Sequence, residues 1–97
     1  MNSVLDLELL RTFIMVSRTG ELKKAAQAVH RSQGAVSMQM KALETDLRIP
    51  LFDRAKRPPV LTQQGRTAVE QSRAVLRELE QLIALGQAAD GLTGTLR

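Results

Sequence analysis

Apolar residues recur at helical spacing in three consecutive stretches of the first half of the chain. We predict helices over about 6–18, 22–29 and 33–47. The apolar rows of these helices are Leu9, Leu10, Phe13, Ile14 and Val16, then Leu22, Ala25, Ala26 and Val29, then Val36, Met40, Leu43 and Leu47. Asp6 and Ser32 are suited to cap the first and third helices, and Gly20 can end the first helix in a left-handed turn. This pattern predicts a mainly α fold with a three-helix core.

The stretch 51–61 breaks the helical pattern, because Pro58 and Pro59 cannot lie inside a helix. Short apolar pairs flank the two prolines, at Leu51-Phe52 and Val60-Leu61, and both pairs are compatible with strands. We therefore predict a two-stranded hairpin with a basic loop, placed directly after the three helices.

A long helix over about 63–89 follows, and Thr62 suits its N-cap. Its apolar stripe is wider than a minimal coiled-coil seam, so one edge can pack on the preceding domain while another meets a second copy of the chain. We predict a homodimer through this helix, with packing only within the monomer as the alternative. The predicted dimer residues are Val69, Ser72, Val75, Leu76, Leu79, Leu82 and Ile83. The Gly-rich segment 90–97 predicts an irregular tail with a turn at Asp90-Gly91.

Composition narrows the function classes. A chain of 97 residues is long enough for one small domain, and its 43% hydrophobic content is ordinary for a folded protein. It contains no cysteine and a single histidine, His30, so we expect neither a thiolate nor a histidine metal site, and no cofactor. Phe13 and Phe52 are the only aromatic residues. No apolar run approaches the roughly 20 residues that a membrane helix requires, so we expect a cytoplasmic protein.

The basic residues are concentrated in the middle of the chain. Residues 18–66 carry ten basic and four acidic groups, a net charge of +6, whereas 1–17 and 67–97 each carry −1. This distribution indicates a surface that binds a polyanion, with a solvated basic face as the alternative.

The second and third predicted helices are separated by three or four residues, which is the spacing of a helix-turn-helix. A major groove admits one α-helix, and the recognition helix must bury one face and offer the other to base edges. The candidate base-reading residues, near the N-terminus of the third helix, are Gln33, Gly34, Ser37 and Met38. The alternative is that they are ordinary exposed residues of an amphipathic helix.

A hairpin placed after a helix-turn-helix is a wing. Its loop carries Arg54, Lys56, Arg57 and Pro58, and we expect Asp53 to form a local ion pair with Arg54 beside it. Arginine suits a narrow minor groove, because that groove concentrates negative potential. A solvated hairpin is again the alternative.

Residues Leu7 to Gly65 resemble the DNA-binding domain of LysR-type transcriptional regulators. The matching segments are Leu10-Arg11-Thr12-Phe13, Ala25-Ala26, Ser32-Gln33-Gly34-Ala35-Val36-Ser37, Leu43-Glu44, Leu51-Phe52-Asp53-Arg54, Arg57, Leu61-Thr62 and Gly65. The long fourth helix is similar to the family's linker helix. Several positions depart from the family pattern. Gly34 replaces Pro or Ser, Met38 stands where a polar or basic side chain is common, and Arg48 replaces a glycine; Glu21 and Lys23 replace small hydroxyl residues, and Pro59 replaces a strand residue.

The resemblance implies a winged helix-turn-helix over 1–61, a linker and dimerisation helix over 62–89, and a hinge over 90–97. The hinge would lead to an effector-binding domain that the chain lacks, and only that domain would bind a small-molecule effector. Dimers with antiparallel linker helices would bind double-stranded promoter DNA, with higher oligomers in the full-length protein. The expected phosphate-contacting residues are Lys23, Lys24, Arg31, Ser32 and Lys41.

Two other function classes were weighed against this prediction. A winged helix can serve as a protein-interaction module, but its helix surface would be apolar, whereas residues 18–66 are basic. An enzyme would need a nucleophile with its base, or a metal cluster, and the sequence offers neither. We therefore expect a DNA-binding regulator and no catalytic residues.

Overall fold

The computed structural model describes residues 6–93, with side chains as far as residue 88. The elements follow the predicted order. They are α1 (Leu7–Thr19), α2 (Leu22–Val29), α3 (Gln33–Leu47), β1 (Phe52–Asp53), β2 (Val60–Leu61) and α4 (Gln63–Thr93). The mainly α fold, with three helices, a hairpin and a long helix, is confirmed.

Three helices begin at the N-caps that the sequence predicts. The Asp6 carboxylate accepts a hydrogen bond from the Leu9 amide at 2.8 Å, and the Ser32 hydroxyl accepts one from the Ala35 amide at 3.0 Å. The Thr62 hydroxyl accepts one from the Gly65 amide at 2.9 Å. Each cap satisfies an amide that the first helical turn leaves without a carbonyl partner. These caps therefore fix where α1, α3 and α4 start.

The first three helices all end in a left-handed residue. Gly20 has φ 78° after α1, His30 has φ 59° after α2, and Arg48 has φ 62° after α3. Glycine adopts this conformation freely, but a side chain with a Cβ is strained in it by about 1 kcal/mol. His30 and Arg48 therefore carry backbone strain so that the chain can turn sharply after α2 and again after α3.

The core lies between α1, α2 and α3, as their apolar rows predict. Phe13 of α1 and the α3 residues Val36 and Leu43 are completely buried. The small Ala25 and Ala26 of α2 are also buried, which lets α2 approach its neighbours closely. Phe13 packs edge-on against Phe52, with ring centroids 6.0 Å apart. This aromatic contact joins the helical core to the first strand of the hairpin.

The hairpin is short and antiparallel. Phe52 pairs with Leu61, and Asp53 pairs with Val60. The strands are confirmed, although β1 begins one residue later than the apolar pair Leu51-Phe52 suggests, because the Leu51 backbone bonds outside the ladder.

The long helix α4 differs from the prediction at its C-terminal end. It continues through Asp90-Gly91 to Thr93, so 90–93 are helical, while the rest of the predicted tail, 94–97, lies outside the described residues. A glycine inside a helix costs only about 1 kcal/mol, and each residue added to an existing helix gains a backbone hydrogen bond. The local turn signal is therefore overridden. Across residues 6–93, no helix combines the length and apolar character needed to span a membrane.

The predicted dimer residues of α4 divide into two groups. Val69 and Ser72 are only 5% and 6% exposed within the single chain, where the start of α4 packs against α1. They therefore belong to the intramolecular core, and their assignment to a dimer surface was wrong. Leu76 and Leu79 are partly buried, and Val75, Leu82 and Ile83 are exposed. The apolar stripe thus faces the core at the start of α4 and solvent further along.

The left-handed conformation at Arg48 predicts that Arg48→Gly stabilises the fold. We expect the free energy of unfolding, measured by urea denaturation, to rise by about 0.5–1 kcal/mol as the strain is relieved. Lys41→Gly is the matched control, because Lys41 is exposed in the interior of α3; it should lower stability by roughly 0.5–1 kcal/mol. A loss of stability in both variants would contradict the strain at Arg48.

Candidate nucleic-acid interface

The recognition helix α3 separates two kinds of side chain on opposite faces. Val36, Met40 and Leu43 are buried in the core. Gln33, Gly34 and Met38 are exposed and Ser37 is partly buried; all four lie on the first turns of the helix. The structure therefore brings the four predicted base-reading residues together on one accessible surface.

Basic side chains surround this surface. Lys23 and Lys24 lie on the first turn of α2, Arg31 lies in the connection to α3, and Lys41 lies on α3 itself. All four are exposed. Ser32, also exposed, uses its hydroxyl oxygen to cap α3, while its hydroxyl proton can still be donated to an anion. The five predicted backbone-contacting residues are thus all accessible.

The wing places its predicted residues in two different environments. Lys56, Arg57 and Pro58 lie exposed in the loop between the strands. Arg54 instead turns back toward α3, where its guanidinium contacts the Glu44 carboxylate at 2.6 Å and lies 5.8 Å from the Phe52 ring centroid. The sequence suggests an ion pair of Asp53 with Arg54; this is wrong, because the Asp53 carboxylate accepts a hydrogen bond from the Ala55 amide.

Glu44 is the residue that sequence reasoning missed. One carboxylate oxygen accepts hydrogen bonds from the amides of Leu51 and Phe52, at 2.8 and 3.1 Å, and the other binds Arg54. The carboxylate therefore joins the recognition helix to the first strand of the wing. The Leu43-Glu44 match was a signal, but an acidic residue on an exposed helix is usually a solvated group, and nothing in its spacing points to the backbone it binds.

The opposite side of the same segment is held by the start of α4. The Thr62 hydroxyl donates to the Pro50 carbonyl at 2.6 Å, and the Thr62 amide donates to the Leu51 carbonyl at 2.9 Å. Gly65 packs so closely on Leu51 that a Cβ would overlap the Leu51 carbonyl oxygen. The segment 50–52 is thus fixed between α3 and α4, and the wing extends from a rigid base.

A cleft of about 330 Å³ lies between the helices and the wing. Ser37 of α3 and Arg54 of the wing both line it. The recognition helix and the wing therefore flank one cleft.

The sequence of the same region identifies the family. Residues 7–66 match the bacterial regulatory helix-turn-helix proteins of the lysR family. The chain belongs to this family. All four candidate base-reading residues, the surrounding basic residues and the wing lie within the matched lysR-family region.

Curated relatives extend the match beyond these 60 residues. The chain is 39% identical over 93 residues to the HTH-type transcriptional regulator DgdR of Burkholderia cepacia, covering 96% of this chain and 31% of that protein. It is 41% identical over 81 residues to the RuBisCO operon transcriptional regulator of Allochromatium vinosum, covering 80% of this chain and 27% of that protein. The chain thus spans about a third or less of these lysR-family proteins.

Solved structures show the same fold bound to DNA. The chain is similar to the CbnR DNA-binding domain in its DNA complex, with a TM-score of 0.82 and 33% identity over 88% of this chain and 98% of that one. It is also similar to the BenM DNA-binding domain in complex with benA site 1 DNA, with a TM-score of 0.83 and 27% identity over 88% and 96% of the two chains.

The three bonds of Glu44 predict that it stabilises the fold more than an ordinary surface ion pair does. Glu44→Ala should lower the free energy of unfolding by about 2–3 kcal/mol, because two amides near the core lose their acceptor. Glu8→Ala is the matched control, since Glu8 also pairs with an arginine, Arg11, but both side chains are more than half exposed; the expected loss is under about 0.5 kcal/mol. Urea denaturation measures both, and equal losses would contradict the role of Glu44.

Proposed function

We propose that this chain is the DNA-binding part of a bacterial transcription regulator, with α3 in the major groove and the wing at the minor groove. One observation carries the proposal. The polar first turns of α3 are accessible and surrounded by exposed cations, while the rest of the helix is anchored in the core. The DNA complexes of the similar BenM and CbnR domains support it.

The roles of the α3 residues follow from their chemistry. The Gln33 amide can both donate to and accept from adenine, and the Ser37 hydroxyl can bond to several bases. Gly34 allows close approach of the helix, and Met38 presents an apolar contact. These four residues would read base edges, and they supply the sequence preference rather than most of the affinity.

Affinity would come chiefly from phosphate contacts. The residues in this role would be Lys23, Lys24, Arg31, Ser32 and Lys41 around the helix-turn-helix, whereas Arg54, Lys56, Arg57 and Pro58 would form the wing at the minor groove. Cations that neutralise phosphates release condensed counterions, so binding weakens as salt rises. Because Arg54 is bound to Glu44, the outer cations Lys56 and Arg57 would enter the minor groove, while Arg54 sets the direction of the loop.

We also propose a homodimer through the exposed part of α4. Val75, Leu82, Ile83 and Leu85 are exposed apolar residues beyond the region that packs on α1. Such a stripe favours burial against a second copy, and partly buried Leu76 and Leu79 lie beside it. A dimer presents two recognition helices and therefore binds a roughly palindromic site.

The proposal concerns binding and not catalysis, and it places the protein in the bacterial cytoplasm, where its DNA target is. Regulation of transcription is part of the same proposal. We assign no effector to the residues of this chain; a small-molecule effector would be bound by a domain outside them.

Selection of bound duplexes from a random pool tests the proposed function. We expect enrichment of two half-sites in inverted orientation, with centres one or more helical turns apart, because each half-site meets one recognition helix. Filter binding of random duplex at low and high salt separates this from a protein-interaction module. Failure to enrich any sequence, together with the absence of salt-sensitive binding, would contradict DNA recognition.

The wing contact predicts a specific salt effect. Arg57→Ala should weaken binding to all duplexes and reduce the slope of log K against log salt by about 1, because one phosphate contact is lost. Arg11→Ala removes the same charge outside the basic surface and should leave the slope unchanged. An unaltered slope in Arg57→Ala would exclude the proposed contact of Arg57 with DNA.

The proposed interface on α4 predicts that Leu82→Glu disrupts the dimer. A carboxylate buried in an apolar interface is strongly disfavoured, so the dimer dissociation constant should rise by at least about tenfold. Gln81→Glu makes the same charge change about 100° around the helix and should have a smaller effect. Sedimentation equilibrium measures the mass against the 10.7 kDa of one chain. A wild-type protein that is monomeric at all concentrations would rule out the dimer.

A further inference from the structure

Two residues on the exposed face of α3 form an apolar feature in a polar surface. Met38 is 73% exposed, although methionine is usually buried. Gly34 lies one turn earlier, and a Cβ placed there would meet nothing within 4 Å. The surface beside Met38 is therefore bare backbone next to an unpacked thioether side chain.

Met38 has no part in the core. It lies two residues from both Val36 and Met40, about 200° around the helix from each, and these two residues are buried. A helical side chain covers the turn on the N-terminal side of its own Cα, so Met38 flanks the surface that Gly34 leaves open. Gly34 and Met38 together make a shallow apolar step, which we call the methyl notch.

Base edges in the major groove offer one apolar group. Guanine, adenine and cytosine present only hydrogen-bond donors and acceptors there, whereas thymine adds a C5-methyl group. A flexible, polarisable methionine adapts well to a small apolar partner. Covering both the methyl and the exposed Met38 would remove apolar surface from water on both sides of the contact.

We propose that the methyl notch reads the C5-methyl group of a pyrimidine, so that Met38 is a specificity-determining residue. This inference rests on the proposed function, because it requires α3 to lie in the major groove. The methyl group is the shared chemistry of thymine and 5-methylcytosine. Burial of one such group corresponds to about fourfold in affinity, which converts to about 0.8 kcal/mol.

The readout by Met38 is separate from that of its neighbour Gln33. An amide recognises the hydrogen-bonding pattern of a base pair and does not depend on the methyl group, whereas the notch recognises the methyl group and ignores the hydrogen-bonding pattern. Changing one chemical group of the DNA at a time can therefore separate the two residues.

The test uses a duplex selected from the random pool. Each thymine is replaced in turn by deoxyuridine, cytosine or 5-methylcytosine, with the matching partner base. We expect one position in each half-site where thymine binds about fourfold more tightly than deoxyuridine, and where 5-methylcytosine exceeds cytosine by a similar factor.

Variants assign the effect to the notch. Met38→Leu should keep the methyl preference, because leucine is apolar and similar in size, and Met38→Gln should abolish it. Both substitutions are at an exposed position, so the fold is retained. Gln33→Ala is the matched control; it should relax base preference while leaving the ratio of thymine to deoxyuridine unchanged.

Two results would overturn the inference. Equal affinity for thymine and deoxyuridine at every position of the wild-type site excludes methyl recognition. A methyl preference that persists in Met38→Gln assigns it to DNA stacking or to another residue. Both results leave DNA binding intact, whereas failure to select any duplex would contradict the proposed function itself.

Discussion

The carboxylate of Glu44 is the constraint on which the geometry of the interface depends. A recognition helix and a wing can contact one DNA duplex only if their separation and angle are fixed before binding. Glu44 provides that connection over a short distance, because it binds two backbone amides and a guanidinium of the hairpin from a helix already anchored in the core. The Glu44 side chain is 14% exposed and that of Arg54 is 42% exposed, so water reaches this pair from the arginine side only in part, and the two amides supply the better protected contacts of the carboxylate.

The same segment of chain is held from three directions. Phe52 packs against Phe13 of α1, Glu44 binds the segment from α3, and Thr62 and Gly65 hold it from α4. Short segments between helices are usually mobile because they bury little apolar surface. Here the amides of Leu51 and Phe52 bond to Glu44 of α3, and the carbonyls of Pro50 and Leu51 bond to Thr62 at the start of α4, so the backbone of the junction is held from two sides. The wing begins at this junction, and its two-residue strands could not be stable alone.

Most of the helical architecture could be predicted from the sequence. The starts of α1, α3 and α4 each have a capping side chain, and the apolar rows of the first three helices have a single period, so local signals and packing agree.

The predictions that failed concern which residue or surface a side chain contacts in the folded chain. Arg54 follows Asp53 directly in the sequence, whereas Glu44 lies ten residues earlier. Only the folded hairpin brings the Arg54 guanidinium within bonding distance of the Glu44 carboxylate. Val69 and Ser72 share a helix with exposed apolar residues, and periodicity cannot say where along the helix the first domain stops covering it. The extent of α4 beyond residue 89 was misjudged because a glycine weakens a helix without necessarily ending it. The grouping of Gln33, Gly34, Ser37 and Met38 was predictable, since four positions on the first turns of one helix share a face whatever surrounds them.

The unbroken course of α4 has a geometric consequence for a dimer of this chain. Each residue of an α-helix advances the axis by about 1.5 Å and rotates the following face by about 100°. The start of α4 is fixed to the segment before the wing, because Thr62 and Gly65 contact Pro50 and Leu51. The exposed apolar stripe of α4 begins several turns later. In the proposed dimer, the number of residues between these two points would therefore set the angle between the two DNA-binding domains. Deleting a single residue there would turn the two domains out of phase with the DNA helix even if every contact to DNA and every contact between chains were kept. In the proposed dimer, the spacing between the two half-sites would therefore depend partly on the length of α4, that is, on residues that touch neither base nor phosphate.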